Sequence, residues 1–116
     1  MGIVLIIDDE HEIGLEMLDC AEAVGHTAYF FQNPILGFTF LKETEVVVDF
    51  VFVDMMMPEM DGKTFIRHAQ KMTVPSTRFY LMSGVPEREI LNSPSLRGLV
   101  FLQKPISFER IEACLT

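Results

Sequence analysis

Gly2-Ile3-Val4-Leu5-Ile6-Ile7-Asp8-Asp9 is the stretch on which the fold turns. The aliphatic run neither alternates with polar residues nor repeats at helical spacing, and it stops abruptly at acid. That is the pattern of a short strand covered on both faces. The same pattern returns at Asp49 to Val53, ending at Asp54, and at Arg78 to Met82, ending at Ser83-Gly84. It returns again at Leu99 to Leu102, ending at Gln103-Lys104-Pro105, and a further β-rich run spans His26 to Phe31.

Helical stripes fill the intervals. Ile13, Met17, Ala21 and Val24 recur at spacings of four, four and three, and Gly25 closes that helix. Asn33-Pro34 is a helix start, and Ile35 to Glu43 reads as the helix that follows. Phe65, Ile66, Ala69 and Met72 form a third stripe, and Pro86 to about Asn92 a fourth, cut short because Pro94 forbids continuation. Phe108, Ile111 and Leu115 form the last, with Ser107 as a candidate cap. Strands alternating with helices through short loops imply a (βα)5 α/β fold, a doubly wound five-stranded parallel sheet covered on both faces.

The chain has 116 residues, 17 acidic and 9 basic side chains and a net charge of −8, and residues 1–116 are expected to form a single domain. Hydrophobic residues make up 49% and charged residues 22%, which excludes a disordered chain. No apolar run is long enough for a membrane span, and the segment before Asp8 lacks the basic start of a signal peptide. Two cysteines, Cys20 and Cys114, are a poor disulfide framework, so a soluble cytoplasmic domain with inert thiols is expected. The acidic balance argues against direct binding of nucleic acid. His11, His26 and His68 lack metal-ligand spacing and are expected at the surface.

In an open parallel sheet, ligands gather outside the carboxyl ends of the strands. That rule brings Asp8, Asp9, Asp54, Ser83 and Lys104 to one rim. At about 5 Å and an effective dielectric near 20, each pair of carboxylates repels by roughly 3 kcal/mol before screening. Such a cluster persists only if some carboxyls stay protonated or a cation sits among them. An all-oxygen site with room for water suits Mg2+. A hard dication beside a carboxylate, a hydroxyl and a lysine is the equipment of phosphoryl transfer onto a carboxylate nucleophile. Capping by Asp9 and Glu12 would explain that pair alone, but not Asp8.

Ile6-Ile7-Asp8-Asp9-Glu10, Phe52-Val53-Asp54-Met55-Met56-Met57-Pro58-Glu59-Met60-Asp61-Gly62, Leu81-Met82-Ser83-Gly84 and Phe101-Leu102-Gln103-Lys104-Pro105 together resemble the receiver domain of two-component response regulators. The resemblance runs from residue 3 to about 115 and implies strand order 2-1-3-4-5. It implies that Asp54 is the phosphoacceptor and that Asp9 binds Mg2+ directly, Asp8 mainly through water, with Asp54 and the Met56 backbone carbonyl completing the protein ligands. It also implies that Ser83 donates to a phosphoryl oxygen and that Lys104 pairs first with the carboxylate and then with the phosphoryl group. Phe101 takes the place of the aromatic switch residue, and the Lys104–Pro105 bond is expected to be cis. The donor would be a histidine kinase or phosphotransfer protein, and the output a downstream protein partner or a fused effector domain. The domain would catalyse only its own phosphorylation and dephosphorylation.

Three departures from the family pattern stand out. Met56 replaces a side chain that is polar in many relatives, and a thioether orients an attacking water poorly, so a long-lived phosphoryl group is expected. Ser83 keeps the hydroxyl of the commoner threonine without its methyl group. The shortened fourth helix points to a monomer or weak dimer. Two other readings use the same residues: a small phosphohydrolase with Asp54 as nucleophile, which would want a general acid where Met56 stands, and a receiver-like binding module that is never phosphorylated.

Overall fold

In the computed structural model, the side chains of each strand divide by parity between two layers. The structure describes residues 1–85 and 99–116. Its elements are β1 (Ile3–Ile7), α1 (His11–Ala23), β2 (Thr27–Phe31), α2 (Pro34–Glu43), β3 (Phe50–Asp54), α3 (Gly62–Ala69), β4 (Arg78–Ser83), β5 (Val100–Gln103) and α4 (Phe108–Cys114). All strand pairs are parallel, as the alternation of strand and helix implies, and their order β2-β1-β3-β4-β5 is the one the resemblance implies. The fourth expected helix, Pro86 to Asn92, lies outside the described residues, leaving four helices among those described.

Leu5, Ile7, Val51, Val53, Phe79 and Leu81 turn to one face and pack with Leu41 of α2 and Phe65, Ile66 and Ala69 of α3. Val4, Ile6, Phe52, Tyr80, Met82 and Leu102 turn to the other, against Met17 and Ala21 of α1 and Ile111 of α4. Phe52 and Tyr80 stack across neighbouring strands with ring centroids 4.6 Å apart. Their burial is worth about 1.5–3 kcal/mol per large side chain, and a stacked pair about 1 kcal/mol more. The Tyr80 hydroxyl donates to the Cys114 carbonyl at 3.1 Å, fastening α4 to the sheet.

Helix ends follow local chemistry with two corrections. Asn33 Oδ1 accepts from the Ile35 amide, Asp61 Oδ1 from Thr64, and Ser107 Oγ from Arg110. Gly25 takes φ 95°, the left-handed conformation that closes α1. At the other end of α1 the cap is Glu10, with no side-chain hydrogen bond, so Asp9 and Glu12 do not form a capping pair. The third helix stops at Ala69 rather than Met72, because Lys71 and Met72 donate three residues back and tighten the chain into a turn. Met72 still packs on the core.

The expectation of three surface histidines is also corrected. His11 and His68 are exposed, but His26 is half-buried. Its Nδ1 accepts from the Gly2 amide at 2.9 Å, which leaves the proton on Nε2 to be donated to the Leu115 carbonyl at 2.8 Å. Cys20 and Cys114 are both free, and burial pushes both thiols above their ordinary pKa, with Glu16 and Asp19 adding to the effect at Cys20. No helix among the described residues is long and apolar enough to cross a membrane.

Gly62 is where the fold meets the rim. Its amide donates to the Met55 carbonyl at 2.9 Å, folding the loop after β3 back over the strand end. A Cβ at this position would meet the Asp54 carbonyl oxygen, Leu81 Cδ1 at 2.8 Å and Met55 Cα at 2.9 Å. Two of these three are backbone atoms that cannot step aside. Gly62→Ala is therefore expected to destabilise the domain by about 1–3 kcal/mol. Urea unfolding at constant pH measures this, and an unchanged midpoint would contradict it.

Candidate functional site

Register places the site. Ile7 pairs with Val53, so Asp8 and Asp54 each stand one residue further, side by side at the carboxyl rim. Both continue the parity of Ile6 and Phe52, which directs them to the α1/α4 face. Asp54 pairs with Met82, and Ser83 with Gln103, which puts Lys104 just beyond β5 on the same rim. The Lys104 amide donates to the Ser83 carbonyl at 2.7 Å, and the Lys104–Pro105 peptide is cis, as expected.

The Lys104 ammonium lies among three carboxylates: Asp8 Oδ2 at 3.0 Å, Glu10 Oε1 at 3.1 Å and Asp54 Oδ1 at 3.2 Å. Carboxylate oxygens of these three residues lie within 4.8 Å of one another. At an effective dielectric near 20, an ion pair at 3 Å attracts by about 5 kcal/mol and two carboxylates at 4.8 Å repel by about 3.5 kcal/mol. Three attractions exceed three repulsions, before solvent screening that weakens Glu10 most. Lys104 thus supplies part of the positive charge that the acidic rim demands.

Burial sets the titration. Asp8 is fully buried; desolvation raises its pKa against the opposing effects of the Glu10 amide, which donates to Oδ1 at 2.9 Å, and of Lys104. Asp54 is 5% exposed, and its pKa is raised from 3.8 to about 7 by burial and by the Asp8 charge, with Lys104 offsetting only part. Burial would lower the Lys104 pKa, but Asp8, Asp54 and Glu10 more than compensate and hold it protonated.

The expected site residues do not all converge. Asp8, Asp54 and Lys104 meet directly. Asp9 is partly exposed at the mouth, close enough for its carboxyl to act on Asp54, and it lines an open cavity of about 370 Å3 with Met56, Met57, Pro58 and Asp61. Met56 is 70% exposed. Ser83 is buried, and its Oγ accepts from the Val85 amide at 3.1 Å; among the described residues no hydrogen bond joins it to Asp54. Phe101 is half-buried against the α2/α3 core cluster. Glu10 is the member that sequence reading missed. The signal was the run of three acids at the end of β1, of which only the first two carried a role.

A family model described as the response regulator receiver domain matches residues 4–116. The chain belongs to the response regulator receiver domain family. It is a phosphoacceptor module of two-component signalling, and its acidic cluster fits a metal and phosphorylation site. Among curated relatives, it is 30% identical over 109 residues to sensor kinase CckA of Brucella abortus, covering 93% of this chain and 11% of that protein. It is 26% identical over 108 residues to response regulator SaeR of Staphylococcus epidermidis, covering 92% of this chain and 45% of that protein. The chain therefore spans less than half the length of these curated relatives. Its fold matches a CheY-like receiver domain from Methylobacillus flagellatus with a TM-score of 0.85 at 19% identity, covering 99% of this chain and 96% of that one. It also matches the receiver domain of the hybrid histidine kinase CckA with a TM-score of 0.80 at 22% identity, covering 99% and 100%.

The raised pKa of Asp54 has a measurable consequence. Between its ordinary 3.8 and about 7, the folded receiver keeps a proton that the unfolded chain has lost. The stability this group contributes is complete below 3.8 and is lost as pH rises through about 7, with a slope of at most about 1.4 kcal/mol per pH unit. Urea midpoints taken in a chelating buffer across this range should fall with pH beyond what the other groups impose, and Asp54→Asn should remove that excess slope. A slope unchanged by the substitution would contradict the assignment.

Proposed function

We propose that Asp54 accepts a phosphoryl group, in the presence of Mg2+, from a histidine kinase or phosphotransfer protein. The observation that carries this reading is the buried Asp54 carboxylate, in contact with Lys104 and level with Asp8 at the rim. The donor set fits a hard dication: carboxylates of Asp8, Asp9 and Asp54 and the Met56 carbonyl supply only oxygen. When bound, Mg2+ supplies neutralising charge for the phosphoryl oxygens and favours the ionised form of Asp54.

The chain's own groups do the rest. A carboxylate oxygen of Asp54 attacks phosphorus, the bond from phosphorus to the donor breaks, and the donor leaves with the electron pair. Lys104 exchanges a carboxylate partner for a phosphoryl oxygen, and the Ser83 hydroxyl, whose oxygen accepts from the Val85 amide, donates its proton to another. The added charge of about −1.5 to −2 changes which contacts are best made, and Phe101 responds on the opposite face. Contacts that differ between two states shift a population, which is what a switch requires. The domain acts on no external substrate beyond its phosphodonor.

We place the output in a downstream protein partner or a fused effector domain. Residues 1–116 form one cytoplasmic receiver unit, monomeric or weakly dimeric, that binds neither nucleic acid nor membrane itself.

Incubation with acetyl phosphate and Mg2+ should add one phosphoryl mass to the chain, and Asp54→Asn should abolish it. Continuous phosphate release without stable labelling would favour a phosphohydrolase, and no label would favour a binding module. The exposed thioether two residues after Asp54 predicts slow loss of the label. Met56→Asn should hasten phosphate loss by roughly threefold or more by holding the attacking water; a variant no faster than the parent would overturn that role.

A further inference from the structure

The chain has eight methionines. Met57, Met17 and Met82 are buried, only 8%, 3% and 0% exposed, and Met55, Met60 and Met72 are half-buried against the core. Only Met1 and Met56 are exposed, Met56 at 70%. Met56 follows Asp54 by two residues and lines the open cavity at the mouth with Asp9. An oxidant arriving from solvent therefore meets one thioether in the cavity that Asp9 lines, two residues beyond Asp54 in sequence, and finds the others sheltered, apart from the one at residue 1.

We propose that Met56 is an oxidative modification site, and that its conversion to the sulfoxide by a peroxide shortens the lifetime of the phosphoryl group on Asp54. The lifetime effect rests on the phosphoacceptor reading above. In the oxidation step a lone pair of Met56 Sδ attacks one peroxide oxygen. The O–O bond breaks and an S–O bond forms. Sulfur loses two electrons, and hydrogen peroxide is reduced to water with no proton left over.

The chemical contrast is large at this position. A thioether sulfur accepts hydrogen bonds weakly, whereas a sulfoxide oxygen is a strong acceptor. Placed at the mouth beside Asp9, such an acceptor can hold the water that attacks the phosphoryl group. The side chain is already solvated, so oxidation costs no core packing, unlike the same change at Met57 or Met82. Methionine sulfoxide reductase reverses the change, so the modification can be removed without resynthesis.

The experiment treats the full chain with limiting hydrogen peroxide, maps each methionine by peptide mass spectrometry, and times phosphate loss from the labelled protein with Mg2+ present. Met56 should reach the sulfoxide together with Met1 and ahead of the other six, and the phosphoryl half-life should fall by roughly threefold or more. Reductase treatment should restore the half-life. In Met56→Leu, peroxide should leave the half-life at that variant's own untreated value. Met56 trailing Met55, Met60 or Met72 would overturn the site, and an oxidised Met56 with an unchanged half-life would overturn its effect. An equal peroxide response in parent and Met56→Leu would overturn the effect as well. Failure of the untreated chain to take up a phosphoryl group would instead overturn the phosphoacceptor reading and the lifetime effect with it, while the peptide map still decides the oxidation site.

Discussion

One ammonium group makes this rim possible. Parallel strands in register bring Asp8 and Asp54 side by side, and the start of α1 adds Glu10. Without a countercharge the arrangement would drive the strand ends apart or force several carboxyls to stay protonated. Lys104 enters from β5, the far edge of the sheet, and contacts all three. A buried ion pair is expensive to desolvate and brings little net stability. In the function proposed above, what the lysine supplies is a charge that can change partners. On that proposal, the same nitrogen that now contacts the Asp54 carboxylate would meet the phosphoryl group there.

The fold was legible because each strand is a short aliphatic run ending at a polar residue, and each stripe between them has helical spacing. Length and turn chemistry separated the two periods. Asn33 and Ser107 cap as their side chains suggest, while the end of α3 was misjudged because Met72 keeps its place on the apolar stripe after the backbone has tightened. Periodicity reports which side chains meet the core; it does not report which amide bonds to which carbonyl.

The site was legible in part for the same reason. Strand ends locate residues on the rim, and so Asp8, Asp54 and Lys104 were found. Glu10 was not singled out, because its role depends on how the first turn of α1 leaves the sheet, a matter of helix direction that no spacing encodes. Ser83 lies on the expected strand but bonds locally to Val85, since a small hydroxyl at a strand end finds the nearest free amide first. His26 was expected at the surface, because a lone imidazole in a short strand run gives no hint that its two nitrogens face opposite ends of the chain.

That imidazole has a mechanical meaning. Gly2 and Leu115 are far apart in sequence, yet one ring holds both, accepting from the first and donating to the second. Ends of a domain ordinarily fray independently, each opening at its own small cost. Here the beginning of β1 and the close of α4 are each tied to the same ring, so each end has a hydrogen bond to break before it opens. The strand that ends at Asp8 is thereby anchored, at its start, to the helix that closes the fold.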